Sequence, residues 1–271
     1  MKSLLLHIDG DDCMEARMQV ALDIARATGA HITCLQAVSF EVFAPGDFYG
    51  STLAAAVPKI KEAAEELREK IETDLSNEDV SWEWRFQYGM AEQRLLEQSA
   101  LHDLIIVGPN DIGEKGGSAS RMVGALVLKA PTPVLVVPGH TKRLDVTAPM
   151  LVAWNGSSEA CVALRTATPL LSCASTVFLA SIAEKSEKQR LDFPPIEGAQ
   201  YLSRYGINAE LVEIPREGAK VSDTLFSAAK ARDCGMLAMG AYGHSRLSEM
   251  LLGGVTRRSL TDPQMPMFLA H

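Results

Sequence analysis

Gly235-Met236-Leu237-Ala238-Met239-Gly240-Ala241-Tyr242-Gly243-His244-Ser245, then Leu247 to Leu252, then Gly253-Gly254-Val255-Thr256, is the stretch from which the rest of the chain can be read. Its opening residues are an apolar run of strand length, and Leu251 to Leu260 reads as the start of a helix. A strand that empties into glycines and then into a helix sets unpaired N–H groups and the positive end of a helix dipole beside uncrowded backbone. Proteins commonly hold phosphate this way. The spacing is G-x2-G-x9-G, from Gly240 through Gly243 to Gly253. It is neither a P-loop, which ends in Gly-Lys-Ser/Thr, nor a G-x-G-x-x-G. Three glycines alone allow a second reading, a loop that only turns the chain.

Working back from this stretch, the second half shows a first strand, Met150 to Trp154, that leads into Asn155-Gly156-Ser157-Ser158. A helix follows over Glu159 to Leu171, then a strand over Thr176 to Ile182, a helix over Pro194 to Tyr205 and a strand over Ala209 to Ile214. A helix over Ala219 to Ala231 precedes the glycine stretch, and Pro266 to Ala270 is the last strand. The first half reads alike. Strands are expected at Ser3 to Ile8, His31 to Val38, Val80 to Tyr88, Leu104 to Val107 and Pro133 to Val137. Helices are expected at Met14 to Thr28, Thr52 to Leu75, Met90 to Leu101 and Ser120 to Lys129. Asp11 or Asp12 is placed to cap the first helix and Gly29 to end it. Val80, Trp82, Trp84, Phe86 and Tyr88 alternate with polar residues, which gives a strand one aromatic face.

The two halves match. Asn155-Gly156-Ser157 stands against Asp9-Gly10-Asp11 at an offset of 146, Met236 to Met239 matches Leu104 to Val107, and Pro266 to Ala270 matches Pro133 to Val137 at an offset of 133. Strands alternating with helices imply the α/β class, and the repeat implies two tandem, doubly wound, mostly parallel five-stranded sheets. The expected division is a first domain over residues 1–138, a linker over 139–148 and a second domain over 149–271.

The glycine pattern after a strand and before Val-Thr resembles the nucleotide motif of the universal stress protein family, and the duplication extends that resemblance, of the tandem two-domain type, over nearly the whole chain. The resemblance implies an adenine nucleotide alpha-hydrolase-like, Rossmann-like fold. It implies ATP or another adenine nucleotide as ligand, with Mg as its accompanying ion, and a regulatory role in stress response. Base and ribose contacts fall on the ends of the first and second strands, here Asn155 and Ile182, and on the glycine stretch at Met239, Gly240 and Gly243. Phosphate falls on the amides of Gly253, Gly254 and Val255 at a helix N-terminus, with Ser245 and Thr256 as hydroxyl partners. Two departures stand out. The family usually has Asp where Asn155 stands, and nucleotide-binding members usually have Ser or Thr where Gly254 stands. Asn155 also has a plainer reading as a cap for the next helix. Units of this family commonly pair through their last strands. Here that implies an internal pseudo-dimer, Pro133–Val137 against Pro266–Ala270, with a homodimer of whole chains as a further level.

The first half keeps Asp9 and Gly108 but departs afterwards. Pro109 has no N–H to donate, Asp111 and Glu114 would repel phosphate, and Ser120 and Arg121 stand where Gly253 and Gly254 do. Gly116-Gly117-Ser118 is a candidate anion nest. One nucleotide per chain, in the second half, is the expectation.

Composition narrows the partners. A chain of 271 residues with 47% apolar and 22% charged residues fits two globular domains, and a formal charge of −8 argues against nucleic acid or an anionic membrane as partner. No apolar run approaches the roughly 18 residues of a membrane span, and the N-terminal run is too short for a signal peptide, so a cytoplasmic protein is expected. The five cysteines, Cys13, Cys34, Cys161, Cys173 and Cys234, form no C-x2-C pair and read as small buried hydrophobes rather than metal ligands. Neither G-x-S-x-G nor H-E-x-x-H occurs, and no carboxylates cluster beside the glycines. Chemistry beyond slow ATP hydrolysis has no visible machinery. A scaffold that binds no nucleotide is the rival reading.

Overall fold

The computed structural model describes residues 1–39, 51–111, 119–183, 196–215, 218–242 and 254–271. In the first half, strands β1 (Ser3–Ile8), β2 (His31–Val38), β3 (Ser81–Tyr88), β4 (Leu104–Val107) and β5 (Val134–Val136) are joined through helices α1 (Met14–Thr28), α2 (Ser51–Ser76), α3 (Ala91–Ser99) and α4 (Arg121–Lys129). The second half repeats the order with β6 (Met150–Ala153), α5 (Ser158–Leu171), β7 (Val177–Ala183), α6 (Glu197–Ser203), β8 (Ala209–Pro215), α7 (Val221–Lys230), β9 (Met236–Gly240), α8 (Gly254–Thr261) and β10 (Met267–Ala270).

All ten strands join one sheet in the order β3-β2-β1-β4-β5-β10-β9-β6-β7-β8. Neighbours within each half are parallel. Between the halves β5 and β10 are antiparallel, with Leu135 opposite Phe268. The two five-stranded sets are thus continuous through their last strands. Strand order reverses between β1 and β4, and again between β6 and β9, and each reversal opens a crevice at the carboxyl ends of the strands.

Helices cover both faces. Residues of α1, α2, α5 and α6 pack on one side, with Leu4, Ile32, Val152 and Leu164 among the buried cluster. Residues of α3, α4, α7 and α8 pack on the other, with Leu95, Val123, Leu225 and Leu260. Strands buried on both faces need no alternation, so β4, β6 and β9 read as apolar runs, and β1 is buried throughout Leu4 to Ile8 with His7 as its one polar member. The edge strand β3 does alternate: Trp82 and Trp84 pack on the first core, while Glu83 and Arg85 are partly exposed.

The first helix differs from expectation at its start. Cys13, not Asp11 or Asp12, is its N-cap, with no side-chain hydrogen bond. Asp11 instead accepts the Cys13 N–H at 2.9 Å and turns its carboxylate onto Arg17. Gly29 ends the helix with φ 61°, the left-handed conformation a C-terminal glycine supplies. Cys13, Cys34 and Cys234 are buried as expected, whereas Cys161 is exposed. Among the described residues no helix is long and apolar enough to cross a membrane.

Candidate functional site

At the carboxyl edge of the second half, β6 delivers Trp154 and Asn155. The Trp154 N–H donates to Ala180 at 2.8 Å and extends the ladder one residue. Its indole is buried beneath α6, where a Cβ at Gly198 would come within 2.9 Å of the ring. Asn155 is exposed, and its side-chain oxygen accepts the Ser157 N–H at 3.0 Å. Gly156 completes the turn at φ 71°. The helix cap is Ser157, whose hydroxyl accepts from Ala160 at 3.2 Å. Asn155 therefore shapes the turn and does not cap α5.

Met239, Ile182 and Val255 lie on the same face of the sheet, the one covered by α7 and α8, with Met239 in its buried cluster and the other two partly buried against it. Thr256 lies one residue further along α8 and is buried. Helix α8 begins at Gly254 and carries no acidic residue in its first turn. Gly243, Ser245 and Gly253 lie outside the described residues, as do His244 and Arg246.

Gly240 has a requirement of its own. A Cβ there would lie 2.4 Å from the Glu159 carbonyl carbon and 2.6 Å from the Ala160 nitrogen, so the first turn of α5 rests directly on the strand. Beyond it Ala241 is fully buried and donates to Ala270 at 2.8 Å. Tyr242, at φ 63°, donates its hydroxyl to the Gly124 carbonyl of α4 at 3.2 Å, and burial raises its phenol to about 12. The mouth of the glycine stretch is thereby tied to the first half.

The matching place in the first half is filled by the chain's own charges. Arg17 is fully buried on α1. Its Nε donates to the His7 carbonyl at 2.9 Å, its Nη1 to Asp11 at 2.7 Å, and its Nη2 to Asp9. Asp9, the residue the resemblance would assign to a ligand, is itself buried in this pair. Burial raises the Asp11 carboxyl against the pull of Arg17. Burial, then Arg17, pushes His7 down to about 3, so this imidazole stays neutral near pH 7. A Cβ at Gly108 would fall 2.6 Å from Arg17 Nη1 and 2.8 Å from Asp11.

The helix that would receive phosphate is filled as well. Asp111 accepts from the Ser120 hydroxyl, from the Arg121 N–H at 2.9 Å and from the Met122 N–H at 3.4 Å. Ser120 in turn caps α4 by accepting from Val123 at 3.0 Å. A carboxylate of the chain thus occupies the N-terminal donors of α4, where the helix dipole favours negative charge. Gly116-Gly117-Ser118 lies outside the described residues.

Sequence reading anticipated that Asp111 opposes phosphate but missed that it takes the donors. It also missed Arg17. A signal was present, because Arg17 falls three after Met14 and one before Met18, on the stripe of α1 that faces the core.

A family model described as the universal stress protein family matches residues 1–138. A universal stress protein from Archaeoglobus fulgidus DSM 4304 superposes with a TM-score of 0.75 at 15% identity, over 99% of this chain and 97% of that one. A putative universal stress protein from Pseudomonas aeruginosa UCBPP-PA14 gives 0.61 at 20% identity, over 99% and 92%. Identities this low speak to the fold alone. Comparison with curated proteins gives no match.

Proposed function

This chain belongs to the universal stress protein family, and on that premise we propose that it is a regulatory protein holding one adenine nucleotide, ATP foremost, in its second half. The observation that carries the reading is the asymmetry between two helix N-termini. The donors of α4 are taken by Asp111, while α8 opens with Gly254 and has no acidic residue in its first turn. In this reading Ile182, Met239 and Val255 form the apolar wall for the base. Asn155 meets the ribose from the end of β6, and the glycine stretch with Gly253, Gly254, Val255, Ser245 and Thr256 receives the phosphates. Mg enters on the triphosphate.

The proposed division is a first domain over 1–138, a linker over 139–148 and a second domain over 149–271, joined as a pseudo-dimer through β5 and β10, working in the cytoplasm. Hydrolysis is at most slow. A scaffold that binds no nucleotide is the alternative, and one observation favours it: the Asn155 oxygen is already committed to Ser157.

Matching β9 to β4 places Gly243 opposite Asp111. Gly243→Asp therefore transplants the blocking carboxylate. Isothermal titration of the whole chain with Mg-ATP is expected to show one site per chain, lost in Gly243→Asp with the circular dichroism unchanged. Two equivalent sites, or no heat at millimolar ATP, sinks the reading.

A further inference from the structure

With β5 and β10 paired inside the chain, the sheet still has two ends, β3 and β8, and among the described residues no strand lies beyond either. An open strand edge is a template for another strand unless charge, proline or a cover blocks it. We propose that β3 is where two copies of this chain pair, antiparallel about a two-fold axis at Trp84, so that the sheet runs on from one copy into the next. The reading rests on the strand's own symmetry and is independent of whether a nucleotide binds.

The main-chain groups set the first condition. Gly89 N–H donates to the Val38 carbonyl at 2.9 Å, and Val38 is the register partner of Tyr88. Alternate residues of a parallel strand bond to the same neighbour. Glu83, Arg85 and Gln87 therefore turn their main-chain groups toward β2, and Trp82, Trp84 and Phe86 turn theirs outward. An antiparallel partner must bond to that outward set, so a two-fold axis through hydrogen-bonded residues passes Trp82, Trp84 or Phe86.

The side chains choose among these. Centred on Trp84, each Glu83 lies opposite Arg85 of the second copy, at the non-hydrogen-bonded positions where side chains approach most closely. Trp82 then lies opposite Phe86 on the other face. Centring on Glu83 or Arg85 would oppose like charges, and centring on Trp82 or Phe86 leaves Glu83 facing Ser81 or Gly89. The charges are held ready. Within one copy Arg85 lies 2.6 Å from Glu83, and both side chains are 42% exposed. Arg85 also donates to Gln98 at 2.6 Å, and Glu83 accepts from Thr33 at 3.1 Å. Pairing would alternate the four charges across the axis. Phe86, 38% exposed, would gain an aromatic neighbour.

Strand β8 offers no such match. Its charges are Glu210 and Glu213, its end is Pro215, and every antiparallel self-register sets a glutamate against itself or an uncharged residue. The first half's edge is therefore the self-complementary one, an isologous contact that closes at two copies.

Sedimentation equilibrium of the full chain over a concentration series tests this. A monomer–dimer equilibrium is expected. Arg85→Glu and Glu83→Arg should each weaken it by roughly ten- to hundredfold, since each turns attraction into repulsion at both sites. The double swap Glu83→Arg with Arg85→Glu restores opposite charges and should restore dimerisation, with circular dichroism confirming the fold of each variant. A wild-type monomer at every concentration overturns the proposal. So does a dimer indifferent to the single reversals, or a double swap as weak as either. Gly243→Asp should dimerise like wild type, which separates this outcome from that of the nucleotide site.

Discussion

Helices α1 and α5 follow the first strand of their halves, yet they meet the sheet in opposite ways. On α5 the residue matching Arg17 is Ala163, fully buried. With so small a residue the helix settles until its first turn touches the backbone at Gly240. On α1 the guanidinium of Arg17 stands in that space, and a Cβ at Gly108 would meet side chains before the Cys13 Cβ at 3.4 Å. One substitution thus converts a helix-on-strand contact into a buried ion cluster that consumes Asp9. One carboxylate, Asp111, likewise takes the first donors of α4. Strand order is unchanged by either. The fold fixes where a ligand would go, and a few charged residues decide whether the place is vacant.

The comparison breaks most sharply at Arg17. Arg17→Met removes the counter-charge from two carboxylates that remain under the sheet edge. Deleting one partner of a buried pair leaves an uncompensated charge and costs about 3–5 kcal/mol. Urea unfolding should show that loss. The matched change in the second half, Ala163→Gly, removes only a methyl group and should cost about 1 kcal/mol. Comparable losses in the two variants would mean that Arg17 does not organise the first half.

Gly240 and Gly108 sharpen it next. Gly240→Ala drives a methyl group into main-chain atoms of Glu159 and Ala160, which can yield only by moving α5. Overpacking of this kind costs about 1–3 kcal/mol. Gly108→Ala meets the ends of Arg17 and Asp11 instead, which can shift against each other, and is expected to cost less. Thermal unfolding of the pair checks the order. A reversed order would mean that the guanidinium cluster is stiffer than the helix contact.

These contrasts mark what could be read without coordinates. The elements whose ends carry local signals were legible: β1, α1, β2 and β4 match their expected bounds, since glycine, aspartate or proline bounds each run. α6 was expected from Pro194 to Tyr205; Pro194 lies outside the described residues, and the helix runs over Glu197–Ser203, with nothing in the sequence to fix its ends as Gly29 fixes the end of α1. That Ile182, Met239 and Val255 share one face of the sheet followed from topology. The fate of Asp9 did not, because a carboxylate at a strand end looks alike whether it awaits a ligand or is already paired. The deciding residue stands eight positions away on a helix whose rotation only the packed core sets. Gly240 was legible as a glycine, but a second requirement for it was not: its close approach to the first turn of α5.

The smallest expected effect tests the vacancy itself. Asp111→Asn keeps an oxygen that can accept from Ser120 or Arg121 but removes the charge that the α4 dipole favours, a loss of about 0.3–1 kcal/mol. Stability will therefore move little, and binding is the informative readout. If Asp111 merely closes a site that is otherwise intact, Asp111→Gly should let the whole chain take up a second ATP. If the Arg17 cluster has also removed the place for base and ribose, Asp111→Gly should admit inorganic phosphate alone, and titration with ATP should still count one site. The buried pairing of Asp9 with Arg17 predicts the second outcome, because freeing the helix end does nothing to release a carboxylate held by Arg17 at the end of the neighbouring strand.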